Sequence, residues 1–141
     1  MIAIVRIRGE INLERDVKET LSRLRLRKKY SCVVIAKPKN EQLGMIRKVK
    51  NFVAYGEINE EMLGKLLEAR GKAADKKKKV DLKIAVKEIA SGKKPEELNL
   101  KPFFRLHPPR GGIESKKHFG VGKGVLGDNK EKINSLIERM L

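Results

Sequence analysis

The amino-acid sequence predicts an α+β fold: a β-α-β-α-β core, a helical insertion, and a C-terminal segment of strand, basic Gly-rich loop and helix. Three observations carry this. In residues 1–57, short apolar runs alternate with segments whose large apolar residues recur at helical spacing. In residues 58–100 only helical patterns remain. In residues 101–127 periodicity gives way to Gly, Pro and basic side chains before one last helical pattern.

Taken in order, Met1 to Arg8 is rich in Ile and Val, ends at Gly9 and suits a strand. Leu13, Val17, Leu21 and Leu24 mark a helix, with Asn12 as N-cap and Glu14 and Asp16 in its first turn. Tyr30 to Ala36 reads as a buried strand stopped near Pro38. Leu43, Ile46 and Val49 mark a second, short helix, and Phe52 to Tyr55 a third strand closed by Gly56. This order predicts a small sheet with both helices on one face.

Asn59 then caps a helix with Glu60 and Glu61 in its first turn, Leu63, Leu66, Leu67 and Arg70 on one side, and Gly71 at its end. The run Lys76-Lys77-Lys78-Lys79 is a solvated loop or helix end, or else a phosphate contact. A further helix runs from about Asp81 to Ala90, with Leu82, Ala85 and Ile89 as its face; Gly92 ends it and Pro95 starts another turn. A short strand near Phe103 to Leu106 leads into a loop stiffened by Pro108 and Pro109 and freed at Gly111 and Gly112. The last helix opens with a capping box from Asp128 to Glu131 and buries Ile133, Leu136, Ile137 and Met140. The division expected is a core at 1–57, a helical insertion at 58–100, and a segment at 101–141 packing on the core.

Charge is the dominant compositional signal. Lys and Arg total 34 of 141 residues against 18 acids, a net +16. A surface this basic repels itself unless a polyanion neutralises it, and counterion release from a nucleic-acid backbone rewards that arrangement. Residues 1–57 contribute +8, residues 101–127 contribute +5, residues 58–100 only +3, and the last helix nothing. Aromatic residues are 4% with no Trp, which disfavours binding single strands on aromatic platforms. The basic residues do not gather on one amphipathic helix, which argues against a membrane surface.

Cys32 is the only cysteine and lies in the apolar run Cys32 to Ala36, so it reads as a core residue, not a nucleophile. One cysteine allows no internal disulfide, in keeping with a reducing cytosol. With neither a signal peptide nor a membrane-length apolar run, a cytoplasmic protein is expected.

Gly122-Lys-Gly124-Val-Leu-Gly127 matches the dinucleotide pattern G-x-G-x-x-G, but Ser115-Lys-Lys-His-Phe before it is no buried strand. Fourteen residues after it leave no room for a second strand and a ribose-binding acid. The phosphate-loop pattern fails as well, because Gly124 stands where Ser or Thr would hold Mg²⁺. What remains is a loop whose backbone N–H groups are unshielded and whose lysines add charge: a plain flexible loop, or one that lies against a sugar-phosphate backbone. The density of Arg105, His107, Arg110, Lys116, Lys117, His118 and Lys123 favours the second. His107 and His118, with one distant Cys, make a poor metal site, and no catalytic constellation is present. No metal, cofactor or small-molecule substrate is expected.

Arg105-Leu-His107-Pro-Pro-Arg110-Gly111-Gly112, together with Gly44-Met-Ile-Arg47-Lys48-Val49 and Phe52-Val-Ala-Tyr-Gly-Glu57, resembles the L-thirty family of large-subunit ribosomal proteins. It is most similar to the archaeal form, whose eukaryotic relatives are named L-seven. The resemblance spans essentially the whole chain and includes the opening Val5-Arg6-Ile7-Arg8-Gly9. It implies a ferredoxin-like core with a three-stranded antiparallel sheet and two helices in residues 1–57. It also implies binding of large-subunit ribosomal RNA, with 5S RNA nearby, beside neighbouring large-subunit proteins. From the matching motifs it carries over Arg47 and Lys48, Arg105, His107, Arg110, Gly111 and Gly112, then Lys116 and His118. Arg6, Arg8, Lys28 and Lys29 join them from the basic core, and Lys117 and Lys123 from the loop. The Lys76–Lys79 region matches no pattern of the family.

The expected function is thus a structural, non-enzymatic constituent of the large ribosomal subunit that grips RNA by phosphate and shape, supporting assembly and translation. Two other classes stay open on the residues alone: an enzyme acting on a phosphorylated substrate, and an RNA-binding module working outside the ribosome. Abundant Lys, Glu and Ile with short loops fit a thermophilic source.

Overall fold

In the computed structural model, residues 1–9, 13–71, 77, 81–92, 95–122 and 124–141 are described. Asn12 lies outside them and is not the N-cap expected of it, because the first helix begins at Arg15 with Glu14 in the cap position and only Asp16 as an acid in its first turn. Lys76, Lys78 and Lys79 of the lysine run and Lys123 of the Gly-rich loop also lie outside them. Lys77 is an exposed turn residue.

The first five elements follow the predicted order: β1 (Ile2–Arg6), α1 (Arg15–Arg23), β2 (Ser31–Ile35), α2 (Asn40–Lys48) and β3 (Val53–Glu57). β1 is central and antiparallel to both neighbours, with Ile4 opposite Val33 on one side and Tyr55 on the other. Side chains alternate across the sheet. Ile4, Val33 and Val53 face α1 and α2, where they meet Val17, Leu21, Leu24, Ile46 and Val49. Ala3, Val5, Cys32, Val34 and Ala54 face the other way. Both helices of the core therefore share one face, as expected.

The opposite face is apolar too, so it must be covered. α3 (Glu60–Arg70), α4 (Leu82–Ala90) and α5 (Ile133–Met140) supply Leu63, Leu66, Leu67, Ala85, Ile89, Ile133, Leu136 and Ile137 to a second core there. The strands are buried on both sides, which is why their sequences read as near-continuous apolar runs and not as alternating ones. α3 begins as predicted: the Asn59 side chain accepts a hydrogen bond from the Met62 N–H at 2.7 Å. Asp81 caps α4 in the same way through Lys83 N–H at 3.0 Å.

The sheet corrects the three-stranded expectation. Three later strands join it: β4 (Phe104–Arg105), β5 (Glu114–His118) and β6 (Gly124–Asp128), in the order β4-β2-β1-β3-β6-β5. β4 is antiparallel to β2, with Cys32 opposite Phe104. It holds its place because Phe104 is 2% exposed in the second core, a burial worth roughly 1.5–3 kcal/mol. β6 runs parallel to β3, Ala54 opposite Gly127 and Tyr55 opposite Asp128, and β5 lies irregularly along β6. The basic stretch expected to be loop is therefore partly strand. Val125 and Leu126 enter the core, while Lys116 to His118 stay exposed on the sheet edge.

The predicted capping box from Asp128 to Glu131 does not form. A 3₁₀ turn over Lys130–Lys132 precedes α5, and the Asp128 carboxylate accepts instead from the Lys130 N–H at 2.9 Å. Parallel pairing of β6 with β3 draws Asp128 into the strand, so it cannot serve as the N-cap. Buried Asn129 fixes the junction, donating from Nδ2 to the Val125 and Gly127 carbonyl oxygens at 2.7 and 3.1 Å. The four residues predicted to be buried on the last helix are buried.

Candidate nucleic-acid interface

Tyr30 gathers the first basic group. Its N–H donates to the Arg6 carbonyl oxygen at 2.7 Å, and its own carbonyl oxygen accepts from Leu106 N–H at 3.0 Å. The end of β1, the α1–β2 loop and the end of β4 thus converge at one end of the sheet. Arg8, Arg25, Arg27, Lys28, Lys29 and Arg105 are placed there, all exposed except half-buried Arg8. Leu24 and Leu26 are buried in the core beneath this loop, so the alternating residues Arg25 and Arg27 point outward. Arg25, Arg27, Ser31, Phe103 and Arg105 line a shallow niche. The Phe103 ring holds the Arg105 guanidinium at 5.1 Å from its centroid, and Phe52 holds that of Arg8 at 5.1 Å. Phe52 also accepts, through its carbonyl oxygen, from the N–H groups of Ile7 and Arg8 at 3.0 and 3.1 Å. This links the group to the α2–β3 loop, just beyond exposed Arg47 and Lys48 in the last turn of α2.

Arg6 is placed otherwise than expected. It is 2% exposed and belongs to the β1 row that faces α1 and α2. Its guanidinium donates from Nη1 to the Leu26 carbonyl oxygen at 2.9 Å and from Nε to that of Arg8 at 3.0 Å. It shapes the basic end of the sheet from beneath and is not on its surface.

α5 gathers the second group. Arg139 donates from Nε to the Arg110 carbonyl oxygen at 2.8 Å and from Nη2 to that of Gly112. The turn it holds needs glycine, since Gly111 and Gly112 have φ of +82° and +74°. His107 is half-buried, its ring nitrogens against the carbonyl oxygens of Pro108, at 2.8 Å, and of Leu141. It ties the loop to the end of α5. A cleft then brings Arg110, Gly111 and Gly112 together with Phe119, Gly122, Gly124, Lys132 and Arg139. Lys116, Lys117 and His118 stand exposed on the adjoining β5.

Four contributors were missed from the sequence: Arg25 and Arg27, which the Leu24/Leu26 alternation signals, and Lys132 and Arg139 on a segment whose charges cancel overall. Among the described residues, Arg8, Lys28, Lys29, Arg47, Lys48, Arg105 and Arg110 make no ion pair with a carboxylate. Among the same residues no cluster of His, Cys, Asp and Glu could hold a metal, and no helix is long and apolar enough to cross a membrane. Cys32 is wholly buried, which pushes its thiol up to about 12 and removes it from nucleophilic chemistry. Tyr55 is also raised, by burial and then by Asp128, with Arg47 opposing.

The sequence model of the family described as ribosomal protein L30p/L7e matches residues 2–53. Along its length the chain is 42% identical to the large ribosomal subunit protein uL30 of Archaeoglobus fulgidus, covering 99% of both chains. It is 45% identical to the uL30 of Desulfurococcus amylolyticus, covering 100% of this chain and 98% of the relative. Identity to the uL30 of Nanoarchaeum equitans is 39%, covering 100% and 99%. At that identity over both full lengths, the chain belongs to the uL30 family of large ribosomal subunit proteins, a structural and non-enzymatic component.

Proposed function

We propose that this chain binds ribosomal RNA within the large subunit, neutralising phosphates where RNA segments converge, and that 5S RNA is among the RNAs it meets. The observation that carries this is the pair of basic groups, at the end of the sheet and beside α5, in which Arg8, Lys28, Lys29, Arg47, Lys48, Arg105 and Arg110 make no ion pair with a carboxylate among the described residues. A protein partner would need a matching set of acids to satisfy so many clustered cations, whereas a polyanion's phosphate oxygens satisfy them directly.

Recognition is mostly of shape, because the deep, narrow groove of A-form RNA excludes side chains. The grip is two-sided, one side on Arg8, Lys28, Lys29, Arg47, Lys48 and Arg105, the other on Arg110, Gly111, Gly112, Lys116, Lys117 and His118. Lys123 belongs with the second side by its place in the sequence. Arg6 and His107 act by positioning the backbone of these groups. Neighbouring large-subunit proteins are further partners, and the chain works in the cytoplasm as part of the subunit.

Titrating purified large-subunit RNA with the protein at increasing salt tests this. Affinity should fall by about 10³-fold or more between 50 and 200 mM salt if six or more phosphates are neutralised. A nearly flat plot of log affinity against log salt would overturn the reading. So would a protein that stays at the top of a sucrose gradient while large subunits migrate.

A further inference from the structure

Three large apolar side chains are exposed among the described residues, and two of them, Phe119 (36%) and Val121 (55%), share one turn. That turn is not slack. The Phe119 N–H donates to the Leu126 carbonyl oxygen at 2.9 Å, Val121 N–H to that of His118 at 3.1 Å, and Gly124 N–H to that of Val121 at 2.9 Å. Phe119 is absent from both cores. A defined backbone therefore leaves part of an aromatic ring open to solvent, so that a partner covering it gains burial energy that the fold leaves unused.

What surrounds the ring selects the occupant. The Lys132 Nζ lies 5.7 Å from the ring centroid, and Lys116, Lys117 and His118 precede it on the strand. Phe119 borders two clefts. One also contains Glu57, Asp128 and Glu131 beside Lys130 and Lys132, so its cations are offset by acids. The other contains Arg110, Lys132 and Arg139 with glycines and no acid. An apolar protein surface would have to bury these cations, whereas a nucleotide satisfies both parts at once, its phosphate on the cations and its base on the ring.

We propose that Phe119 is a stacking platform for an unpaired base of ribosomal RNA, with the backbone of that nucleotide lying in the cleft of Arg110, Lys132 and Arg139. The inference rests on the RNA-binding reading above and adds to it a contact that is not electrostatic. A low aromatic content argues against recognition by many platforms, but a single ring is enough to seat a single base.

The chain has no Trp, so an F119W variant carries one reporter at the site. Titrated with purified large-subunit RNA, its fluorescence should be quenched. F119A should bind that RNA roughly 5- to 150-fold more weakly, the range for loss of one stacked base. F119L, apolar but unable to stack, should resemble F119A. Because stacking releases no counterions, F119A should leave the slope of log affinity against log salt unchanged. Wild-type affinity in F119A, or full affinity in F119L, overturns the stacking while leaving the RNA reading intact. An F119A variant that binds free RNA normally but is lost from salt-washed subunits assigns the tip to a protein neighbour and equally overturns it. Failure of the wild-type chain to bind the RNA at all removes the underlying reading, and this inference with it.

Discussion

Arg139 and Arg110 are bound to each other twice: the Arg139 Nε donates to the Arg110 carbonyl oxygen at 2.8 Å, and the Arg110 N–H donates to the Arg139 carbonyl oxygen at 3.0 Å. The last turn of α5 is thus the mould for the Arg110-Gly111-Gly112 turn. R139K keeps the charge but cannot reach two carbonyl oxygens from a planar fork. It should leave overall stability within about 1 kcal/mol of wild type, since the bonds are near the surface. Amide exchange at Arg110 should accelerate, and affinity for large-subunit RNA should fall several-fold. Unchanged exchange in R139K would show that the turn holds itself.

Arg6 and Arg105 should behave as opposites. R6M leaves the Leu26 and Arg8 carbonyl oxygens without the guanidinium that serves them. A loss of about 2–4 kcal/mol in chemical denaturation is expected, with no change in the salt slope of RNA binding. R105A sits on the surface and should cost under about 0.5 kcal/mol of stability while lowering that slope by about 0.7–0.9. Equal slopes for R105A and wild type would remove Arg105 from the phosphate contacts.

Gly56, within β3, packs against the start of α5. A Cβ there would stand 2.2 Å from the Lys130 carbonyl oxygen and 3.0 Å from the Ile133 Cβ, and the first of these is backbone that cannot swing aside. G56A should therefore destabilise the fold by about 1–3 kcal/mol, read as a lower denaturation midpoint. A midpoint equal to wild type would mean that the 3₁₀ turn before α5 shifts freely.

Cys32 gives the fold a measurable alkaline limit. Burial raises its thiol from 9.0 to about 12, so above pH 9 the unfolded chain gives up a proton that the folded chain keeps. The neutral thiol's contribution is complete below pH 9 and is lost as pH rises toward 12, at about 1.4 kcal/mol per pH unit. Over pH 9 to 10.5, C32A should lose stability less steeply than wild type in urea denaturation. Parallel curves would show that the thiol ionises without unfolding.

Much of the architecture was legible because local signals agreed. The Asn59 cap, the leucine face of α3 and the four buried residues of α5 are each written in consecutive residues. β5 and β6 were not legible, because β5 is a polar edge strand and β6 offers only Val125 and Leu126 between glycines. Nothing local in Gly124 to Asp128 announces pairing with a strand some seventy residues earlier. In the candidate interface, Lys28, Lys29, Arg47, Lys48, Arg105 and Arg110 stand on the surface. Arg6 does not, although its parity with Ile2 and Ile4 already assigns it to an inward row. Phe119 was lost in a composition argument, since a percentage says nothing of where one ring points.

Tyr55 pairs with Asp128, and Ser31 with Arg105, so the sheet is closed only by residues made late in synthesis. A nascent chain that has emerged through β3 already carries Arg8, Arg25 to Lys29 and Arg47. Its Ala3, Val5, Cys32, Val34 and Ala54 row is still uncovered at that stage. Distant pairing of this kind slows folding and prolongs exposure of apolar surface. On the proposed reading, an early encounter with RNA would shield a half-made chain from aggregation. On the same reading, the basic group beside α5 is complete only once the last helix has docked, so the order of translation would set the order in which the two holds are taken.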